Sequence, residues 1–255
     1  LEQNEFITIF TQWLLVVQRW AYAVATRLAT ITKLRVDGTL KLRFVMDLLR
    51  SGVNGKSNPP ERTVLPRMTD FIHAVLDLMV ILWQRGGDRL AMENIVLMVI
   101  DFSDAFYLLH AHPEERGWLV FRCARGWAVF RRICFGMSTA PLLWGRVAAA
   151  AARLAQAAFL EHELRIQVFV DDPAIAIAGD ESKRRRLAGM LLLIWAALGL
   201  QINWGKGQYG RSVEWIGALV LIMAHVRGPA VRVELPRKKL EEVIKEIQEM
   251  ISAKG

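Results

Sequence analysis

Two apolar runs that meet at a pair of aspartates constrain this chain more than any other feature. Gln167-Val168-Phe169-Val170-Asp171-Asp172 leads, across Pro173, into Ala174-Ile175-Ala176-Ile177-Ala178 and stops at Gly179-Asp180. The pattern reads as strand, acidic turn, strand. Adjacent carboxylates repel each other and are costly to desolvate, so such a pair either faces water at a turn or binds a cation. A second acidic site decides between the two. Ile95-Val96-Leu97-Met98-Val99-Ile100 is an uninterrupted apolar run ending in Asp101, the mark of a strand buried on both faces. With that strand beside the hairpin, Asp101 and Asp171 converge on one spot and Asp172 lies next to them. Carboxylates from separate strands then form a hard-oxygen site suited to Mg²⁺, and two such ions hold the attacking and leaving oxygens of a phosphoryl transfer.

Between the acidic sites lies Phe135-Gly136-Met137-Ser138-Thr139-Ala140-Pro141, and Asp101 itself opens Asp101-Phe102-Ser103-Asp104-Ala105-Phe106. Further on come Leu198-Gly199-Leu200-Gln201-Ile202-Asn203-Trp204-Gly205-Lys206 and Glu214-Trp215-Ile216-Gly217. This ordered set resembles the palm of reverse transcriptases, most closely the gypsy-type branch of LTR retrotransposons, over roughly residues 33 to 240. The resemblance implies an α+β fold with fingers and palm, an antiparallel palm sheet backed by helices, and a truncated thumb. Its expected divisions are an N-terminal amphipathic helical segment (1–32), fingers (33–90), palm (91–220, with part of the fingers at 115–133) and the start of a thumb (221–255).

The resemblance also implies roles. Asp101, Asp171 and Asp172 are the expected catalytic carboxylates and metal ligands, joined by the main-chain carbonyl of Phe102. They would hold two Mg²⁺ ions, with Mn²⁺ as the alternative, while a primer 3′-hydroxyl loses its proton and pyrophosphate leaves. Lys206 matches a lysine near the departing pyrophosphate, suited by charge to stabilise or protonate it. Arg43, Asp104, Ala105, Phe106, Phe135 and Gly136 are the expected nucleotide-binding residues. Among them Phe106 matches the bulky side chain that excludes a ribose 2′-hydroxyl by clash. Pro141, Phe169, Val170, Trp215 and Gly217 are the expected contacts to template and primer. The chain departs from the family pattern at Phe169, where tyrosine is more frequent, at Cys134 and Leu49, where proline and arginine are common, and at Pro173 directly after the acids.

Composition fits these expectations. The 255 residues carry a formal charge of +8, which favours a polyanionic partner, and 53% are hydrophobic, ample for a core. Cys123 and Cys134 are the cysteines, without Cys-x-x-Cys spacing or a histidine cluster, so neither a disulfide framework nor a zinc site is indicated. Charged and polar residues at Gln12, Gln18, Arg19 and Arg27 interrupt the apolar stretch from Phe6 to Ile31, which reads as an amphipathic helix packed on the domain and not as a membrane span. The expected partners are an RNA template, a DNA or RNA primer and dNTPs, without a membrane. The expected setting is intracellular, cytoplasmic or nuclear, in a segment cut from a polyprotein with RNase H or recombinase/integrase parts.

Local signals complete the reading. Lys33-Leu34-Arg35-Val36 and Thr39-Leu40-Lys41-Leu42-Arg43-Phe44 flank Asp37-Gly38, a strong hairpin signal with one cationic face, Lys33, Arg35 and Lys41 being further candidates for phosphate contacts. Met68 to Trp83 has helical spacing up to Gly86-Gly87, with His73 on an ordinary face. Trp118 to Phe121 and Trp127 to Phe130 flank Arg125-Gly126 as another hairpin. The alanine-rich stretch after Pro141 and the stretch from Glu181 to Leu198 read as helices, the latter with Lys183-Arg184-Arg185-Arg186 in its first turns. Trp215 to Met223 reads as one strand, Arg227-Gly228-Pro229 as a turn, and Pro236 to Ile251 as a charged amphipathic helix. Two other functions use the same residues: a fragment that only binds RNA or RNA–DNA duplex, and an RNA-dependent RNA polymerase, against which Phe106 argues.

Overall fold

The computed structural model describes residues 6–34, 38–59, 61–86, 94–225 and 228–252. Along the chain come β1 (Ile7–Phe10), α1 (Trp13–Arg19), β2 (Ala25–Thr26), β3 (Leu28–Leu34), β4 (Leu40–Met46) and the single turn α2 (Val53–Lys56). Helix α3 (Met68–Gln84) precedes β5 (Ile95–Val99), 3₁₀ turns at Ala105–Leu108 and Arg116–Trp118, β6 (Val120–Cys123), β7 (Gly126–Phe130) and α4 (Ala140–Ala157). The remainder is β8 (Leu164–Phe169), β9 (Asp172–Ala178), α5 (Glu181–Ala197), a 3₁₀ turn at Trp204–Lys206, β10 (Gln208–Gly210), β11 (Ser212–Trp215), β12 (Ala218–His225), β13 (Gly228–Glu234) and α6 (Arg237–Ser252). These elements group into two compact units, Leu1–Thr63 with Asp104–Arg146, and Val64–Ser103 with Val147–Gly255.

The second unit is built on an antiparallel sheet in the order β10-β5-β9-β8. Every residue of β5 is buried, as its unbroken apolar run requires. Ile95, Leu97 and Val99 share one face with Ala174, Ala176 and Ala178 of β9, and Phe71, Val75 and Leu78 of α3 pack into the same cluster. The small alanines let the helix approach the sheet, while Ile175 and Ile177 on the alternate face are equally buried. A second sheet, β11-β12-β13, adds Val213, Trp215, Val220 and Ile222 to this core. The expected single strand from Trp215 is broken at Ile216 and Gly217, both at positive φ, so the chain folds back as β12. Gly228 and Pro229 open β13 instead of forming a turn, and Arg227 lies outside the described residues. His73 is exposed on α3; Gly87 of the expected stop lies outside the described residues.

Helix α4 buries Trp144, Ala148, Ala151 and Ala155, one stripe at helical spacing, which accounts for the alanine run as close packing. Helix α5 starts at Asp180, whose side chain accepts from Lys183 N at 2.8 Å and offsets the basic first turn. Within that run Lys183 pairs with Glu163 at 3.0 Å, Arg185 with Glu181, and Arg184 donates to Asn94 O at 2.9 Å. Internal partners thus take up three of the four cations. Helix α6 is amphipathic as expected, with Leu240, Val243, Ile247 and Met250 exposed along one stripe. No helix among the described residues is long and apolar enough to cross a membrane.

In the first unit β1, β7, β6 and β2 form a sheet in that order, β2 running parallel to β6. The expectation of a helical segment over residues 1–32 is corrected here: among the described residues of that span helix is confined to Trp13–Arg19, Ile7–Phe10 pairs with β7, and β3 begins at Leu28. The β-branched residues Ile7, Thr8, Ile9, Thr30, Ile31 and Thr32 favour extended backbone and outweigh the helical spacing read across them. The β3–β4 and β6–β7 hairpins form as expected. Asp37 and Arg35 of the first, and the side chain of Lys41, lie outside the described residues. The block expected at 33–90 is shared between the two units.

Gly136 sits against this hairpin at φ +103°, where a Cβ would collide with the carbonyl oxygen of Met46. The approach is tied by Met46 N donating to Phe135 O at 2.9 Å. Asn54 pins the same loop from the side, donating to Gly136 O at 2.8 Å and accepting from Ser138 N at 3.1 Å. Gly136→Ala must therefore move backbone, and we expect it to cost on the order of 2–4 kcal/mol, read as a lowered urea midpoint. An unchanged midpoint would show that the loop yields freely.

Candidate active site

The acidic site follows from strand register. β5 and β9 pair antiparallel with Val99 opposite Ala174, and extending this register by two residues sets Asp101 opposite Asp172. The pairing does continue there, with Ile100 N donating to Pro173 O at 3.2 Å and Phe102 N to Asp171 O at 2.8 Å. Asp101 and Asp172 thus share one face, and like charges placed directly opposite are destabilising. Burial and the charges of Asp171 and Asp101 push the Asp172 carboxyl up to about 7, its proton bridging to Asp101. Both line a groove of about 440 Å³ together with Lys206, Gln208, Glu214 and the Trp215–Gly217 turn.

Strand pairing sets two of the three expected carboxylates face to face. Asp171 stands in the turn beside them, and its charge acts on Asp172 more strongly than that of Asp101. Among the described residues no three acid, histidine or cysteine side chains form a metal cage. The donor set nonetheless fits a divalent cation: the oxygens are hard, Asp172 is short of positive charge, and an ammonium already sits at the pair. Lys206 Nζ lies 2.6 Å from Asp101 Oδ1 and Asn203 Nδ2 lies 3.2 Å from Oδ2.

Asn203 was not among the expected site residues, although it stands three positions before Lys206 in the motif containing both. Trp215 has a different place from the one expected. Its ring is 2% exposed, so it is unavailable to a primer; it donates Nε1–H to Asp172 O at 2.9 Å and packs on Phe71 and Phe169. Trp215 therefore braces the hairpin tip, and Phe169 is a half-buried partner in that brace. The tip itself is strained, with the β-branched Val170 at φ +54° and, beside the groove, Ile216 at +38°.

The pair makes stability pH-dependent. Below about pH 3, folded and unfolded chains both hold the Asp172 proton, and the pair's contribution is fully present; it falls as pH rises above the unfolded value and is lost as pH passes through about 7. Asp172→Asn keeps a donor toward Asp101 and cannot ionise. In metal-free buffer we expect this variant to match the parent at about pH 3 and to exceed it by on the order of 2 kcal/mol at about pH 8, allowing for partial exposure. Parallel denaturation curves at the two pH values would contradict the assignment.

In the first unit three of the expected nucleotide residues meet, Arg43 and Phe106 both lying against the ring of Phe135. The Arg43 guanidinium lies 5.5 Å from the centroid of Phe135, and Phe106 meets the same ring edge-on at 5.1 Å. Phe106 is half-buried on the turn Ala105–Leu108, preceded by exposed Asp104 at φ +52° and buried Ala105. Pro141 sits in the first turn of α4. Cys134 is fully buried and burial pushes its thiol up to about 12, so this departure from the family pattern is a packing residue. Leu49 is 80% exposed, with Arg50 exposed beside it.

The second unit thus carries a buried antiparallel sheet with carboxylates at its strand ends, and the first unit carries the Phe-Gly loop. The chain belongs to the reverse transcriptase (RNA-dependent DNA polymerase) family, whose model matches residues 62–220, more than half its length. Among solved structures it is similar to a foamy viral protease–reverse transcriptase in complex with dsDNA, at a TM-score of 0.62 and 15% identity, covering 98% of this chain and 44% of that one. The complex of the foamy viral enzyme with an RNA/DNA hybrid gives 0.58 and 16%, covering 89% and 27%. A selenomethionine-labelled mutant of the prototype foamy virus enzyme gives 0.57 and 15%, covering 85% and 24%. At such identities the likeness establishes the fold, and the chain spans less than half the length of these proteins. No curated protein matches it.

Proposed function

We propose that the chain is the RNA-directed DNA polymerase part of a retroelement, adding dNTPs to a primer 3′-hydroxyl. The observation that carries this reading is the register that sets Asp101 opposite Asp172 in an open groove, within a chain of the reverse transcriptase family. In the reaction the 3′-oxygen forms a bond to the α-phosphorus, the bond to pyrophosphate breaks, and the hydroxyl proton is released. Asp101, Asp172 and Asp171, with the Phe102 carbonyl, would hold two divalent cations, Mg²⁺ in the first instance. When bound, these supply Lewis-acid stabilisation of the charge that develops on the attacking and leaving oxygens.

The chain's own groups orient and neutralise. Asn203 holds the Asp101 carboxylate, and Trp215 fixes the Asp172 backbone. Lys206, released from Asp101, supplies a cation and a proton for the leaving phosphates. Arg43 meets the triphosphate, while Phe106 and Phe135 form the wall against which the sugar is read, flanked by Asp104, Ala105 and Gly136. Pro141, Phe169 and Val170 belong to the template and primer side, and primer contact falls to Ile216 and Gly217 at the exposed turn.

Residues 33–90 with 115–133 act as fingers, 91–220 as palm, and α6 opens the thumb. The motif wording supports a gypsy-type retrotransposon origin, within a polyprotein that also carries RNase H or recombinase/integrase parts. RNA template, DNA or RNA primer and dNTPs are the partners. The test is extension of a primer on an RNA template with Mg²⁺ and either dNTPs or rNTPs. DNA product dependent on the template supports the reading; RNA product makes the chain an RNA polymerase, and duplex binding without any product makes it a binding fragment.

A further inference from the structure

One short turn takes both oxygens of Asp101. Besides the two side-chain bonds from Lys206 and Asn203, Asn203 N donates to the Asp101 carbonyl at 2.8 Å, so the turn is stitched to the strand end through main chain and side chain alike. The two contacts differ in character. Asn203 is half-buried and its backbone is tied down, whereas the Lys206 side chain is 52% exposed and reaches in from solvent to a carboxylate only 10% exposed. Glycines stand on both sides of the lysine, and a Cβ at Gly205 would find its nearest neighbour at 3.6 Å, so the backbone there is uncrowded. The ammonium that contacts Asp101 also acts on Asp172, and Asp171 adds a further charge at Asp172, so one monovalent cation serves a cluster of carboxylates.

We propose that Lys206 is the resident cation of the metal-free site, holding Asp101 in place until a divalent cation displaces it, while Asn203 keeps the carboxylate oriented. This rests on the polymerase reading of the same residues. An ammonium and a divalent ion at Asp101 Oδ1 repel each other at close range and draw on the same carboxylate charge, so binding of one disfavours the other. Displacement leaves Asn203 on Oδ2 and frees a flexible cation at the edge of the groove, ready for an incoming polyphosphate. The lysine thus serves two anions in turn, a carboxylate before loading and a phosphate afterwards.

Divalent-cation binding to the whole chain without nucleic acid tests this, read from the free Mn²⁺ resonance signal and by calorimetry with Mg²⁺. Lys206→Met removes the competitor and should tighten binding about fivefold or more, whereas Lys206→Arg, which keeps it, should bind like the parent. Without cation the Met variant should melt below the parent, and Mg²⁺ should close the gap. Equal or weaker binding by Lys206→Met overturns the proposal. Asp101→Asn separates the two failures: if it binds cation as tightly as the parent, the polymerase reading of the site falls with the proposal. If it loses binding while the Met variant fails to gain, the site stands and the lysine is a plain neighbour.

Discussion

Replacing Asp101 by asparagine is expected to lower nucleotide addition about a thousandfold or more while leaving the chain folded. The substitution is close to isosteric and still offers an oxygen to Asn203, so the groove keeps its shape. It removes the charge on which a cation depends and the acceptor that holds Lys206 at 2.6 Å. It also takes away one of the charges that raise the Asp172 carboxyl, so that group should titrate lower in the variant. Primer extension gives the rate, and a melting curve separates lost chemistry from lost fold. A comparable loss is expected for Asp171→Asn, which touches little of the core. If either variant extended primers as fast as the parent, its carboxylate would have no part in the reaction.

Phe106→Val should admit ribonucleotides. A steric gate works through size alone, and a clash worth a few kcal/mol corresponds to about a hundredfold in the ratio of kcat/KM for dNTP over rNTP. The structure sharpens the alternative. Phe106 is half-buried, resting edge-on against Phe135 at 5.1 Å, and is absent from the fully buried core. Truncation should therefore cost about 1–2 kcal/mol of stability, below the penalty for a core phenylalanine, and the variant should remain folded. A folded variant with an unchanged ratio would reduce Phe106 to a packing partner of Phe135.

How far the sequence could lead depended on which force set each feature. Burial on both faces wrote itself into Ile95 to Ile100 and Ala174 to Ala178, and those strands form where expected. The acidic hairpin tip was legible for the same reason. Which aspartate meets Asp101 was not, because the answer depends on register. A shift of one residue exchanges the faces, and two adjacent aspartates look alike until the pairing of Val99 with Ala174 is known. Trp215 was misplaced because an aromatic in a family motif signals contact, whereas its indole N–H is spent on Asp172 O. The break at Ile216 was hidden inside an apolar run, since a strained β-branched residue at positive φ carries no local signature. At the N-terminus, propensity and periodicity disagreed, and β pairing with β7 prevailed. Asn203 was within reach, three residues before a lysine already singled out.

The most direct measurement of the central claim is single-nucleotide incorporation by rapid quench, on an RNA template with a labelled primer, Mg²⁺ and the complementary dNTP. The account predicts a primer lengthened by one deoxynucleotide, dependent on template identity, and lost in Asp101→Asn while duplex binding persists. A chain that binds the duplex, takes up Mg²⁺ and still never lengthens the primer would contradict it.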